Sequence, residues 1–128
     1  MTAEPALSIT SPDYSELVVD HFHRPRNAGE FPPGPGIRRT QAGNRQAGAE
    51  VSLSVRIAGD TVAEVRFQAF GCPHFLAATS LATERLAGLP VAALGRWTAG
   101  ELGRELGVPV EKRGRLLILE DAVRAAAQ

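Results

Sequence analysis

The clearest pattern along the chain is a pair of alternating stretches. Val51, Leu53, Val55 and Ile57 alternate with Ser52, Ser54 and Arg56. After Gly59-Asp60, Ala63, Val65, Phe67 and Ala69 alternate with Glu64, Arg66 and Gln68. A period of two sends successive side chains to opposite faces, so these runs predict an antiparallel hairpin with one buried and one wet face. Elsewhere the apolar spacing is helical. Tyr14, Leu17, Val18 and His21 share one face, with Asp13 and Glu16 placed as an N-cap pair. Phe75, Ala78, Ala82 and Leu86 form a stripe widened by Leu81, which Gly88 and Pro90 close. Pro90 opens a short helix through Leu94. Thr98 and Glu101 make a capping-box pattern ahead of Leu102 and Leu106, and Gly107 and Pro109 break that segment. A last helix is predicted from about residue 116 to 126, with Leu116, Leu119, Val123 and Ala126 on one face.

Between the first helix and the hairpin, Pro25 disfavours helix at Arg24, and Asn27 and Gly29 supply turn chemistry. Residues 32–48 are rich in Pro and Gly and read as a long surface loop, with a short strand near Ile37–Gln41. Residues 1–12 read as a disordered or loosely packed tail, and residues 13–128 as a single domain. The order helix, loop, strands, helices predicts an α+β fold: a small antiparallel sheet with helices packed on one face.

Composition narrows the function classes. A chain of 128 residues buries roughly two-thirds of its unfolded surface and needs no covalent staples. Fourteen basic and fourteen acidic side chains cancel, so the total gives no electrostatic reason to expect nucleic acid or an anionic membrane. The local clusters at residues 21–26 and 111–115 read as solvated turns. No basic-then-apolar leader stands at the start, and the longest apolar run, Leu116 to Leu119, is far short of a membrane span. A lone cysteine excludes an intrachain disulfide and fits a reducing, cytoplasmic setting.

That cysteine, Cys72, lies in Phe70-Gly71-Cys72-Pro73-His74, between the end of the hairpin and the start of an apolar helix. Free backbone N–H groups and the positive end of the helix dipole favour a thiolate there. His74 adds a second candidate ligand or base. Two ligands do not make a metal site by themselves; His21, His23, a carboxylate or a second chain would have to supply more. A buried structural cysteine, and a Cys–His nucleophile without an orienting partner, are the competing readings.

Several segments resemble the IscU/NifU N-terminal family of iron–sulfur cluster assembly scaffolds. The strongest is the run 14–29, Tyr14-Ser15 through Asp20-His21-Phe22 to Pro25-Arg26-Asn27-Ala28-Gly29. Phe67-Gln68-Ala69-Phe70-Gly71-Cys72 resembles the family's strand ending in aromatic-Gly-Cys, Thr79–Glu84 the helix after it, and Leu119–Ala126 the C-terminal helix. The resemblance implies a three-stranded antiparallel sheet of the SufE–NifU type, with an N-terminal helix and a helical C-terminal half. It implies sulfur received from a cysteine desulfurase, assembly of an iron–sulfur cluster or retention of zinc, and hand-over with chaperone help.

This chain departs from the family at the site itself. The family's first Cys-Gly-Asp falls on Ala47-Gly48-Ala49, and its His-Cys before the last helix falls on Gly114-Arg115. Two of three ligand cysteines are therefore absent. The chaperone-recognition segment survives only loosely around Val108, Pro109 and Lys112. Cys72 is retained as the sulfur acceptor and, with His74, as the remaining metal-ligand pair. One thiolate and one imidazole cannot enclose a 2Fe–2S cluster. The expectation is a scaffold-like, non-enzymatic protein of iron–sulfur assembly with a degenerate site at Cys72, a monomer that holds no conventional cluster, and Arg115 repelling metal and favouring the thiolate. A homodimer would allow a two-Cys, two-His zinc set. The alternatives are a partner-binding regulatory module and a thiol carrier of persulfide or redox chemistry.

Overall fold

A computed structural model describes Ile9 and residues 13–128. The expected tail falls outside the described residues except for Ile9, which packs partly buried against the core and donates its N–H to His23 Nε2 at 3.1 Å.

Three strands, β1 (Ile37–Asn44), β2 (Ala49–Ala58) and β3 (Thr61–Phe70), form one antiparallel sheet in that order. The hairpin is β2–β3, with Val51, Leu53, Val55, Val65 and Phe67 buried on one face, as the alternation predicts. The pattern slips near the turn. Arg56 pairs with Glu64 but Ile57 pairs with Val62, so Ala63 is an extra residue. This bulge turns Val62 into the core, while Ile57 and Ala63 stay partly exposed.

β1 occupies half of the segment that composition marks as a loop, and it is longer than Ile37–Gln41. Its side chains are mostly polar, so it lacks an alternating apolar signature. Its hydrogen bonds to β2 and to the last helix hold it instead. Arg38 donates to the Ala126 carbonyl at 2.7 Å and Thr40 to the Ala122 carbonyl at 2.8 Å.

Among the described residues four helices complete the α+β fold: α1 (Glu16–His23), α2 (Pro73–Leu86), α3 (Gly100–Leu106) and α4 (Leu116–Ala125). α2 lies on β3, and α4 on β1 and β2. Short 3-10 turns span Val91–Arg96 and Val110–Arg115. Two caps differ from expectation. The N-cap of α1 is Ser15, not Asp13: its Oγ accepts from Val18 N–H at 3.2 Å and donates to the Leu106 carbonyl at 2.7 Å. α3 begins one residue beyond the Thr98 pattern, with Ala99 at the cap position and its N–H bonded to Glu120 at 2.9 Å. A carboxylate from α4 thus replaces the local capping box. α2 also exceeds its predicted stripe. Thr79, Ser80 and Thr83 are buried along with the apolar residues because α1 and α3 cover the side away from the sheet.

The segment after α1 straps the free edge of β3. Phe67 N–H donates to the Asn27 carbonyl at 3.0 Å, and Gly29 N–H donates to the Phe67 carbonyl at 2.8 Å. Phe31, 7% exposed, then settles on the outer sheet face, where Arg66 lies 4.3 Å from its ring centre. No helix among the described residues is long and apolar enough to cross a membrane.

His21 joins these layers. It is 3% exposed, and its Nδ1 shares a 2.7 Å hydrogen bond with Ser80 Oγ. Burial, then the nearby Arg26 charge, pushes its pKa below the ordinary histidine value, against the opposing pull of Glu84. The unfolded chain takes up this proton near pH 6.5, whereas the folded chain does so only at lower pH. Stability is therefore fully present above the unfolded value and is lost as the pH falls toward the folded one. Urea midpoints measured from about pH 7.5 to about pH 5 should decline. His21→Gln should lower the starting midpoint and flatten the decline; an unchanged slope would assign it to other groups.

Candidate functional site

Three segments meet at one end of the sheet. The first is the turn from β1 to β2, where Asn44 Oδ1 accepts Ala47 N–H at 2.7 Å and Gly48 adopts φ 85°. Glu50 pairs with Phe70, so the residues after β3 lie at this same end. Arg45 confirms the approach, with its guanidinium 4.5 Å from the centre of the Phe70 ring. The third segment is the start of α4, where Arg115 packs against Gly48. A Cβ added to Gly48 would lie 3.5 to 3.8 Å from three guanidinium atoms.

Cys72 is the N-cap of α2, with an extended backbone, and its half-buried thiol makes no capping hydrogen bond. Pro73 follows at the first helical position, where its missing N–H costs nothing. Gly71 is dictated by close approach: a Cβ there would come within 2.9 Å of Phe75 Cδ2. The structure therefore gathers Ala47, Ala49, Cys72 and Arg115 at one end. Ala47 is exposed, Ala49 is fully buried and neither carries a donor, while Arg115 is exposed and permanently charged.

His74 sits on the same helical turn but is only 4% exposed. Its ring lies 4.8 Å from that of Tyr14, tilted by 51°. Burial foremost, and then the charge of Lys112, lowers its pKa below the ordinary histidine value. Its Nδ1 is buried and has no hydrogen-bond partner, the one such side-chain atom among the described residues. His21 and His23 are engaged elsewhere, by Ser80 and by Ile9. Among the described residues no group of three or more His, Cys, Asp or Glu side chains is arranged to hold a metal. The donor set at this site does not fit an iron–sulfur cluster or a closed zinc site.

The exposed large hydrophobic residues among the described ones are Phe70 (40%), Val110 (77%) and Leu117 (58%). Each lies within two residues of Cys72, Lys112 or Arg115. Val108 is 2% exposed and belongs to the core, so Val110 is the valine of that segment that a partner can reach. Pro109 and Lys112 are half-buried. The tilted Tyr14–His74 contact and the Arg45–Phe70 contact have no local signature; only the aromatic-Gly-Cys run hinted at the exposed ring. A separate apolar groove of about 400 Å³ runs beside the β3 edge, between Phe22, Pro25, Phe67 and Leu76.

A family model described as NifU-like N terminal domain matches residues 13–128. The iron-sulfur cluster assembly protein IscU of Plasmodium falciparum is 32% identical over 115 residues, covering 89% of this chain and 71% of that protein. The iron-sulfur cluster assembly scaffold protein IscU 1 of Archaeoglobus fulgidus is 30% identical over 114 residues, covering 88% and 73%. Among solved structures, a protein described as a cluster assembly scaffold for the SUF system, from Fervidobacterium islandicum, superposes with a TM-score of 0.65. That match has 19% identity and covers 90% of this chain and 96% of the other, which is a likeness of fold.

The junction that presents Cys72 depends on the missing side chain at Gly71. Gly71→Ala should cost about 1–3 kcal/mol in urea denaturation, because Phe75 is buried and cannot yield freely. Gly34→Ala, with open space around it, is the matched control and should change stability little.

Proposed function

We propose, since the chain belongs to the NifU-like N-terminal domain family, that it serves iron–sulfur cluster assembly as a scaffold-type protein offering one thiol, Cys72. It holds or passes on material and does not turn over a substrate. The observation that carries this reading is the convergence of Ala47, Ala49 and Arg115 at the end of the sheet that presents Cys72. Cluster irons are held by thiolates and, in some proteins, imidazoles. One half-buried thiol and one buried imidazole supply too few donors for a cluster within a single chain. Iron or sulfur is therefore cargo that a partner helps to hold, and Cys72 is the atom able to accept sulfur. A cysteine desulfurase or another assembly protein is the partner in this reading. A cytoplasmic, reducing setting keeps the lone thiol free. The two-chain zinc arrangement is disfavoured by geometry, because His74 would have to leave its place beside Tyr14.

A second reading draws on Phe70, Val110 and Leu117, the large apolar side chains exposed among the described residues. On that reading the chain is a docking module, and its partner contacts do not need the thiol. Cys72→Ser would then leave partner binding intact. Loss of binding by this variant, with its fold preserved by circular dichroism, would reject the thiol-independent version.

The leading reading has a direct test. Anaerobic incubation with ferrous iron and sulfide, followed by absorption spectroscopy and iron and sulfide counting, should leave the monomer without a stoichiometric cluster. About two irons and two sulfides per monomer would overturn the reading.

A further inference from the structure

The start of α4 carries a pattern that is symmetric in position and opposite in charge. Arg113, Leu117 and Asp121 follow one another at intervals of four. Leu117 and Asp121 lie one turn apart on α4, and both are exposed. Leu117 is 58% exposed, although Leu116 and Leu119 beside it are buried. None of the described ion pairs includes Arg113 or Asp121. Glu120, by contrast, is engaged: it accepts the Ala99 N–H at 2.9 Å and lies 3.4 Å from Arg124.

Beside Leu117 the surface falls into a hollow of about 200 Å³. Gly100 and Gly103 of α3 line it, together with Arg113, Leu116, Leu117 and Glu120. The two glycines keep it open. A Cβ on Gly103 would sit 3.1 Å from Leu116 Cδ1, and one on Gly100 would meet only Arg104 Nη1, at 3.7 Å. Arg113 is anchored at the rim, because its Nε donates to the Val108 carbonyl at 3.0 Å. Its terminal nitrogens are left for a carboxylate from outside. An exposed leucine, an open hollow and an unpaired charge of each sign thus share one patch.

We propose that this patch receives a second copy of the chain about a two-fold axis, with Leu117 of each copy seated in the hollow of the other. The occupant follows from self-complementarity. A two-fold interface has to carry knob and hole on the same patch, and this patch does. It also has to match its own charges. When two α4 helices meet antiparallel about Leu117, position 113 faces position 121. Arg113 then opposes Asp121 of the partner subunit, and the pair is made twice. A parallel meeting would set like charges against each other. A partner of other sequence would not call for both signs at equal spacing. The patch is small, below the roughly 1,200 Å² of a standard interface, so the dimer is weak and reversible. Neither Cys72 nor iron takes part, so the inference goes beyond the proposed function and stands or falls apart from it.

The test is sedimentation velocity of the full, reduced chain with a chelator present, at rising concentration up to about 1 mM. The mean mass should climb from one chain toward two and stop there. Leu117→Glu, at an exposed position, should remove the dimer. Gly100→Leu, which fills the hollow where a side chain meets no obstacle, should do the same. Asp121→Arg and Arg113→Glu should each weaken association about fivefold or more, and the double variant, which exchanges the charges, should regain most of the loss. Phe22→Ser, in the separate groove beside β3, is the control and should associate as the parent does. A mass that stays at one chain up to about 1 mM would overturn the proposal. So would a dimer that survives Leu117→Glu while circular dichroism shows the fold intact, or one that Phe22→Ser alone removes.

Discussion

Burying most of a helix leaves several of its polar side chains without water, and much of this structure follows from how α2 meets that demand. Thr79 bonds back to the Phe75 carbonyl at 2.9 Å, and Thr83 to the Ser80 carbonyl at 2.7 Å. Ser80 Oγ satisfies both His21 and the Arg26 N–H, and Asn27 donates to Thr83 Oγ1 at 3.0 Å. These bonds hold the end of α1 and the turn after it. That turn carries residues 27–29 onto β3 and closes part of its open edge. A buried unsatisfied polar group costs about 1–3 kcal/mol, so each tie is strongly specified. His74 Nδ1 is the described exception to this internal accounting, and it lies at the end of the molecule where family resemblance places the functional site.

What the sequence revealed depended on whether a signal was local. The β2–β3 hairpin was legible because Val51, Leu53, Val55, Val65 and Phe67 line up on one buried face. The last helix was legible for the same reason, with Leu116, Leu119, Val123 and Ala126 buried as their spacing implied. β1 was only partly legible because tertiary contacts through Arg38 and Thr40 hold a polar strand. The bulge at Ala63 left no trace in composition and shifted which residue enters the core. Caps failed in a similar way. Thr98 and Asp13 offered local capping chemistry, but Glu120 and Ser15 provided it through or beside long-range contacts.

The site shows the same division. Cys72 at a helix start was readable from Gly71-Cys72-Pro73 and the apolar run behind it. Its relation to Ala47, Ala49 and Arg115 rested on resemblance, because the positions are far apart in sequence and join only through strand register and the seat of Arg115 on Gly48. The state of His74 could not be read at all. A histidine in a first helical turn looks solvent-facing until Tyr14, delivered by the segment ahead of α1, closes over it. The surroundings of Cys72 and His74 are thus set by residues distant in sequence.

The Ser15 hydroxyl links the start of α1 to the end of α3, across 91 residues. A helix of eight residues has little stability alone, since nucleation is unfavourable and few bonds follow it. The local cap to Val18 N–H gains its long-range tether only when Leu106 is in place. During synthesis α1 leaves the ribosome before the other described elements, whereas Leu106, at the end of α3, follows the whole sheet and α2. The N-terminal helix is thus an early arrival and a late folder: non-local closure sets its timing, and a nascent chain that stops before α3 leaves α1 without its long-range tether.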